Sequence, residues 1–401
     1  MAPSYFDRVF LEDFGMTRKR PGLAHLSSAL ALALLAAPSI GKATTLFAVT
    51  NLVSDGTSPA VSVDANLQNP IGIAASPTSP FWVANNGTST STLYGGAGNI
   101  VPLVVSTPSA PTGVVFNSSA SAFTIGGTKP AFLFASDTGQ IMGWAPTFGT
   151  VAAVGATVAG ADFKGLGLGT VGADSYLYAT DFKGGTLDVF KNTLATFTTT
   201  SVDPTMPAGY SPFNATVLGG KLYVTYALQD AGGHNPVTGL GNGFVDVFNL
   251  DGTFAQRLVS QGEIDTPWGL ALAPSSFGEF AGDLLVGNYG DGTISAFDDV
   301  TGAFQGRLLG LDSQPLTLGN LWGLMAGNNG VGNSPQDIYF AASFPSPDGA
   351  SDGLFGRISA VSTTPDGVPE PTAWALMLLG FGLTGAALRA GRTPRQVRRT
   401  A

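Results

Sequence analysis

Apolar residues along this chain fall in short runs, many of them alternating with polar ones. Gly, Asp and Asn separate the runs. The stretch Thr266 to Leu309 shows the unit best. Trp268 to Ala273 reads as a small-residue strand and Asp283 to Asn288 as a buried apolar strand. Gly292 to Asp298 alternates, and Phe304 to Leu309 completes a set of four. Gly-Asp and Asp-Gly pairs between them supply the positive φ that tight hairpins need. One such sheet cannot bury both faces, so the pattern implies stacked copies.

The copies are present. Strand one recurs from Pro70, Pro111, Lys164, Pro212, Pro267 and Leu321, with anchor positions Gly72, Gly113, Gly165, Asn214, Gly269 and Gly323. The anchors are 41, 52, 49, 55 and 54 residues apart. Strand two follows as FWVANN, FLFASD, YLYATD, LYVTYA, LLVGNY and IYFAAS. Strand three follows as TLYGG, IMGWAP, TLDVF, FVDVF, TISAF and FGRISAV. Four strands at roughly this period mark the blade of a β-propeller. The missing Cβ at the anchors suits innermost strands that crowd round an axis. The first five copies each have a fourth strand, such as Asn99 to Ser106 and Phe254 to Ser260, but none remains after Val361. The spare stretch Thr45 to Asp55 is therefore predicted to pair as the outer strand of the last blade, which removes an open edge. The predicted fold is an all-β six-bladed propeller of four-stranded antiparallel blades over residues 44–362, closed by an N-terminal strand.

Composition agrees. Charged residues are 11%, there are 55 Gly and 26 Phe, and Cys is absent. Abundant aromatics argue against low-complexity disorder. Without cysteine there is no disulfide and no thiolate metal site.

The two ends read as targeting segments. Arg18, Lys19 and Arg20 precede an apolar run from Leu23 to Ala37, and Gly41-Lys42-Ala43 follows. This is the layout of a signal peptide over residues 1–43, with cleavage expected after Ala43. The alternative is a retained anchor, for which the run is short. MTRKRPG from Met16 is an ordinary signal beginning, so residues 1–15 are expected to be an over-extended start. At the other end, a linker over residues 363–371 leads into a predicted transmembrane helix, 372–390, with Trp374 as an interfacial anchor. A basic tail, 391–401, is expected in the cytoplasm, which leaves the propeller on the far side. Pro369 and Pro371 keep Glu370 in an extended, unpaired backbone open to a processing enzyme.

Val368 to Arg392 resembles a PEP-CTERM sorting tail: a Pro-Glu-Pro triplet, a nearby aromatic, a Gly-bearing span and a basic finish. A plain membrane anchor is the alternative. The resemblance implies an exosortase-type processing enzyme as partner, cleavage near Pro369 to Pro371, and a Gram-negative bacterium that makes extracellular polysaccharide. The mature protein would be released or attached outside the cell, after transient anchoring in the inner membrane. The globular part is similar to an uncharacterised bacterial propeller family that often carries this tail. Thr50 to Gly56, Asn69 to Gly96, Leu222 to Asp230, Gly241 to Gly252 and Thr266 to Gly278 carry the likeness. The blades more distantly resemble NHL repeats, which serve mainly as binding platforms. The family pattern implies a basic residue and an acidic pair around His234. Here Leu228, Asn235 and Pro236 occupy that region, so no site built on those charges carries over.

Between Thr44 and Val368 the net charge is −15, against −9 for the whole sequence. That disfavours nucleic acid and anionic lipid as partners, although an acidic surface also simply aids solubility. Catalytic chemistry is sparse. His234 is the one histidine of this segment, and Glu263 and Glu279 are its only glutamates. There is no His cluster for a metal and no GxSxG elbow. Gly165 to Thr170 looks like a phosphate loop but lacks the Lys-Ser/Thr pair, so it reads as an inner strand. Asp251, Asp291 and Asp366 lie in Asp-Gly turns without the alternating oxygens of a calcium loop.

Two sets of residues are candidates for binding. Strand two ends in or near a polar residue at Asn85, Asp137, Asp181, Asp230 and Asn288, and these positions are expected to gather at one rim of the channel. They would either cap strand ends or hold a calcium ion, as in gluconolactonase- and paraoxonase-like lactonases. No other cofactor is expected. Trp268 and Trp322 precede anchor glycines, and His234 lies in the long loop Gly232 to Gly243. Exposed at the mouth, the three would suit an extracellular polysaccharide; buried, the tryptophans would pack between blades. The expected function is that of an exported cell-surface or matrix binding module for polysaccharide or protein, with a calcium-assisted lactonase-like hydrolase as the rival.

Overall fold

The computed structural model describes residues 44–195, 197–200, 203–345 and 351–361, together with Leu376, Leu378, Leu379 and Phe381. Lys42 to Val368 form one compact unit. The four residues near the C-terminus are helical and exposed. Among the described residues no helix is long and apolar enough to cross a membrane. The expected signal segment, the Pro369-Glu370-Pro371 triplet and most of the expected span lie outside the described residues.

Six four-stranded antiparallel units surround one axis. Their innermost strands are Pro70–Ala74, Pro111–Phe116, Phe163–Val171, Tyr210–Leu218, Pro267–Leu272 and Asn320–Ala326. Each packs on the next, and the sixth packs on the first. In the fifth blade the other strands are Leu284–Asn288, Ile294–Phe297 and Phe304–Arg307, close to the predicted bounds. The last blade closes as expected. Leu46–Ser54 pairs antiparallel with Ser351–Val361, from Leu46↔Val361 to Ser54↔Leu354. Glu279 fastens the start of that strand, accepting hydrogen bonds from the Thr45 backbone N–H at 2.9 and 3.0 Å and from its hydroxyl. Two short parallel additions, Ser62–Val63 and Leu309–Gly310, also pair with the closing strand. Sequence patterning does not mark them.

The core is divided between blades. Six apolar clusters each join one blade to its neighbour, such as Phe47, Phe277, Phe280 and Phe340 between the fifth and sixth. A seventh lies on the axis and contains Ile71, Phe182, Phe213, Ala227, Trp268 and Trp322. The anchor glycines explain how the inner strands approach. A Cβ on Gly269 would meet the Trp322 carbonyl oxygen at 2.5 Å, and one on Gly323 the Ile71 oxygen at 2.8 Å. One on Gly113 would meet the Leu166 nitrogen at 2.5 Å. Asn214 stands in the fourth blade's anchor position and donates from Nδ2 to the Trp268 carbonyl at 2.8 Å. In every blade the register between strands one and two slips at the anchor. Such a bulge turns the neighbouring side chain out of strict alternation.

Asp246, on the fourth blade's third strand, is fully buried. Among the described residues neither of its oxygens has a hydrogen-bond partner. Burial, then the nearby Asp203 carboxylate, push its carboxyl up to about 7, with Arg257 opposing. Arg257 pairs directly with Asp203 and lies 3.7 Å from Asp246.

Two outcomes follow. Gly269→Ala should lose about 2–3 kcal/mol in urea unfolding, because the new methyl meets backbone rather than a movable side chain. A raised carboxyl pKa means the folded chain holds the Asp246 proton more tightly than the unfolded one. The stabilisation is complete below the ordinary Asp range and disappears as pH rises through about 7. Asp246→Asn should remove this loss, so wild type should become less stable relative to the variant by about 2–4 kcal/mol between pH ~4 and pH ~8. Thermal unfolding across that range measures it.

Candidate functional site

The bulges arrange two rings at the end of the axis where the inner strands begin. The first ring holds the residue before each anchor: Ile71, Thr112, Lys164, Phe213, Trp268 and Trp322. The second comes from strand two, which runs antiparallel and ends there. Its register places Asn86, Asp137, Phe182, Ala227, Tyr289 and Ser343 at equivalent positions. The rings are chemically lopsided. Blades one to three contribute Asn86, Thr112, Asp137 and Lys164. Blades three to six contribute Phe182, Phe213, Trp268, Tyr289 and Trp322.

A cavity of about 260 Å³ opens here, with residues of all six blades in its wall. Its aromatic side is packed in place. Tyr289 and Trp322 have ring centroids 4.3 Å apart, and Phe213 lies 5.8 Å from Trp322. Trp322 Nε1 donates to Ser343 Oγ at 3.1 Å. On the polar side, Asn69 Nδ2 donates to Asn86 Oδ1 at 3.2 Å, and Asn86 Nδ2 to Asp137 Oδ2 at 3.4 Å. Beyond the aromatic cluster an apolar chamber of about 400 Å³ continues along the axis.

The residues singled out from sequence separate in the structure. Asn85, Asp181 and Asn288 share one register position, one residue short of the mouth ring. All three are buried and hydrogen-bonded internally, Asn85 through its Nδ2 alone, since its Oδ1 has no partner among the described residues. Asn85 Nδ2 donates to Thr90 and Thr92 hydroxyls at 3.1 and 2.9 Å. Asn288 Nδ2 does the same to Thr293 and Ser295 at 3.0 and 3.3 Å. Asp181 Oδ1 accepts from the Asp162 and Gly184 backbones, both at 2.9 Å. The expected common rim therefore does not form from these five. Asp137 does line the mouth. Successive strand residues point to opposite sides, so one position decides which set faces the cavity. Trp322 lines the mouth but is 8% exposed; Trp268 is 4% exposed and lines the apolar chamber instead. Glu263 pairs with Arg307 at 3.4 Å. Asp251 and Asp291 each hold the backbone and hydroxyl of a threonine two residues on, as turn residues do; Asp366 lies outside the described residues.

His234 reaches the mouth with Asn235 and Pro236. Asp230 holds this loop. Its carboxylate accepts from the His234 backbone and from Asn235 Nδ2, both at 3.0 Å. Asn235's side-chain amide, foremost, keeps the Asp230 carboxyl below its ordinary range. Patterning also missed Asp162. Its side chain is 2% exposed, and its two oxygens meet Lys164 Nζ at 2.8 Å and His234 Nδ1 at 3.0 Å. The available signal was an Asp-x-Lys at the entry to the third blade, just outside the repeated strand. Among the described residues no group of three or more His, Asp or Glu side chains is placed to hold a metal.

The fold and its lined axial mouth define a six-bladed β-propeller with one recessed polar-aromatic site. Within that class the chain belongs to the family of two uncharacterized proteins of Acanthamoeba polyphaga mimivirus. R648 is 33% identical over 337 residues, which is 79% of this chain and 81% of that protein. L690 is 30% identical over 340 residues, 79% of this chain and 87% of that protein. No protein-family model matches the chain. Among solved structures, similarity extends to a streptogramin B lyase at 11% identity and TM-score 0.45, covering 80% of this chain and 99% of that one. It extends also to the Penicillium chrysogenum α-L-arabinanase complexed with arabinobiose, at 12% identity and TM-score 0.44, covering 78% and 98%.

Asp230→Ala should loosen the loop without unfolding the propeller. Amide hydrogen exchange should quicken at His234 and Asn235 and stay unchanged in the blade strands; unaltered exchange at His234 would contradict the role given to Asp230.

Proposed function

We propose that the protein is an exported binding module that takes a hydroxyl-rich ligand of the saccharide class at the axial mouth. One observation carries this reading: the mouth is polar on one side and aromatic on the other. Saccharides present hydroxyls at their edges and C–H surfaces on their faces. Asn86 and Asp137 offer donors and acceptors to the first, while Tyr289 and Trp322 offer packing to the second. The small cavity fits a terminal sugar or a short branch rather than a chain passing through.

The chain's ends support placing this activity outside the cell. Residues 1–43 would direct export with cleavage after Ala43. The Pro369-Glu370-Pro371 tail would pass to an exosortase-type enzyme at the outer surface of a Gram-negative bacterium, after transient anchoring by residues 372–390. A calcium-assisted, lactonase-like reaction is less well supported, because the side-chain oxygens of Asp181, Asp230 and Asn288 already accept internal hydrogen bonds.

The binding test is direct. A polysaccharide retained by the wild type on a glycan array should bind about tenfold or more weakly to Asn86→Ala/Asp137→Ala, from the loss of two or more hydrogen bonds. Calorimetry measures the difference. Equal affinity in the variant, or no retained polysaccharide, would remove the mouth as a saccharide site.

A further inference from the structure

Asp162, His234 and Lys164 form a linked trio whose chemistry exceeds binding. A carboxylate only accepts hydrogen bonds, so its contact with His234 requires the proton on Nδ1. In the neutral ring this leaves the lone pair on Nε2. Among the described residues Nε2 has no hydrogen-bond partner, and the ring lies in the wall of the mouth with its side chain 53% exposed. Asp162 is sunk beneath it, tied on its other oxygen to Lys164, and Lys164 lines the same cavity. The imidazole is thus oriented from below and open above, the arrangement of a base held by a carboxylate. Asp230 holds the His234 backbone, so main chain and ring are each fixed by a carboxylate.

We propose that His234, oriented by Asp162, is a general base that hydrolyses an ester carried by the ligand at the mouth, with the Lys164 ammonium facing the developing oxyanion and without need of a metal. The substrate class is an O-acylated saccharide, and this rests on the binding reading above. Water adds through oxygen to the ester carbonyl carbon as one of its protons passes to Nε2. The carbonyl π pair moves onto oxygen, where the ammonium stabilises it. Collapse of the adduct breaks the carbon–oxygen bond to the alcohol. The leaving oxygen takes the proton back from Nε2–H. Ester and water become carboxylic acid and alcohol, and the protein returns unchanged.

Two probes test this in the full chain: p-nitrophenyl acetate and a fully acetylated methyl glucoside, with acetate release measured for the second. Wild type should turn over both with saturation, at a rate that levels off as pH rises and is unaffected by EDTA. His234→Gln should lose about 100-fold or more and show only a linear dependence on hydroxide. Asp162→Asn, which keeps the histidine, should lose at least about tenfold, and Lys164→Met should lower the maximal rate more than apparent affinity. Unchanged rates in His234→Gln or Asp162→Asn, or loss of activity with EDTA, would overturn the proposal. Hydrolysis of the nitrophenyl ester alone, with no polysaccharide bound, would uphold the base and remove the saccharide substrate. Polysaccharide binding with neither ester cleaved would remove the base and leave the binding reading intact.

Discussion

Backbone packed against backbone at the axis is the constraint on which this propeller depends. At Gly72, Gly113, Gly165, Gly269 and Gly323 the next blade's inner strand lies so near that a Cβ would meet it at under 3.0 Å. Side chains cannot mediate such a contact, so the sequence leaves them out. Asn214 solves the same problem differently, bonding its amide to the Trp268 carbonyl in the next blade. The bulge at every anchor belongs to the same solution. It lets the strand bend inward and turns the preceding residue towards the mouth. Architecture and site therefore arise from one local feature repeated six times.

Closure follows from the same economy of edges. A ring of sheets built from one end to the other would leave the last blade short of an outer strand. Leu46–Ser54 fills that place, and Glu279, from the fifth blade, holds Thr45 just before it. Contacts widely separated in sequence thus secure the joint, and each inter-blade core is completed only when both neighbours are in place.

Two buried aspartates show how the structure treats charge. Asp162 has a cation or ring nitrogen on each oxygen, and the loop held by Asp230 brings His234 over it. Asp246 has Arg257 at 3.7 Å and another carboxylate nearby, with no hydrogen bond to either oxygen among the described residues. The first arrangement spends buried charge on orienting a functional group at the mouth. The second lies in a blade face, remote from the mouth lining, and makes stability pH-dependent.

Local patterning by itself determined the number of blades, their four-strand composition, the closing strand and the glycine anchors. Each is written in short-range alternation, turn chemistry and spacing. It also brought out His234, Asp137 and Trp322, since unusual residues in a repeat are visible without coordinates. It did not decide which side of strand two faces the mouth. Asn85 and Asn288 looked equivalent to Asp137, yet Asn86 and Tyr289 are the residues at its register position, because a one-residue step reverses a side chain and the bulge is invisible to alternation. Nor did it show the Asp162–His234 pair, which lies 72 residues apart along the chain. Only the closing of the third and fourth blades round the axis brings that carboxylate under that ring.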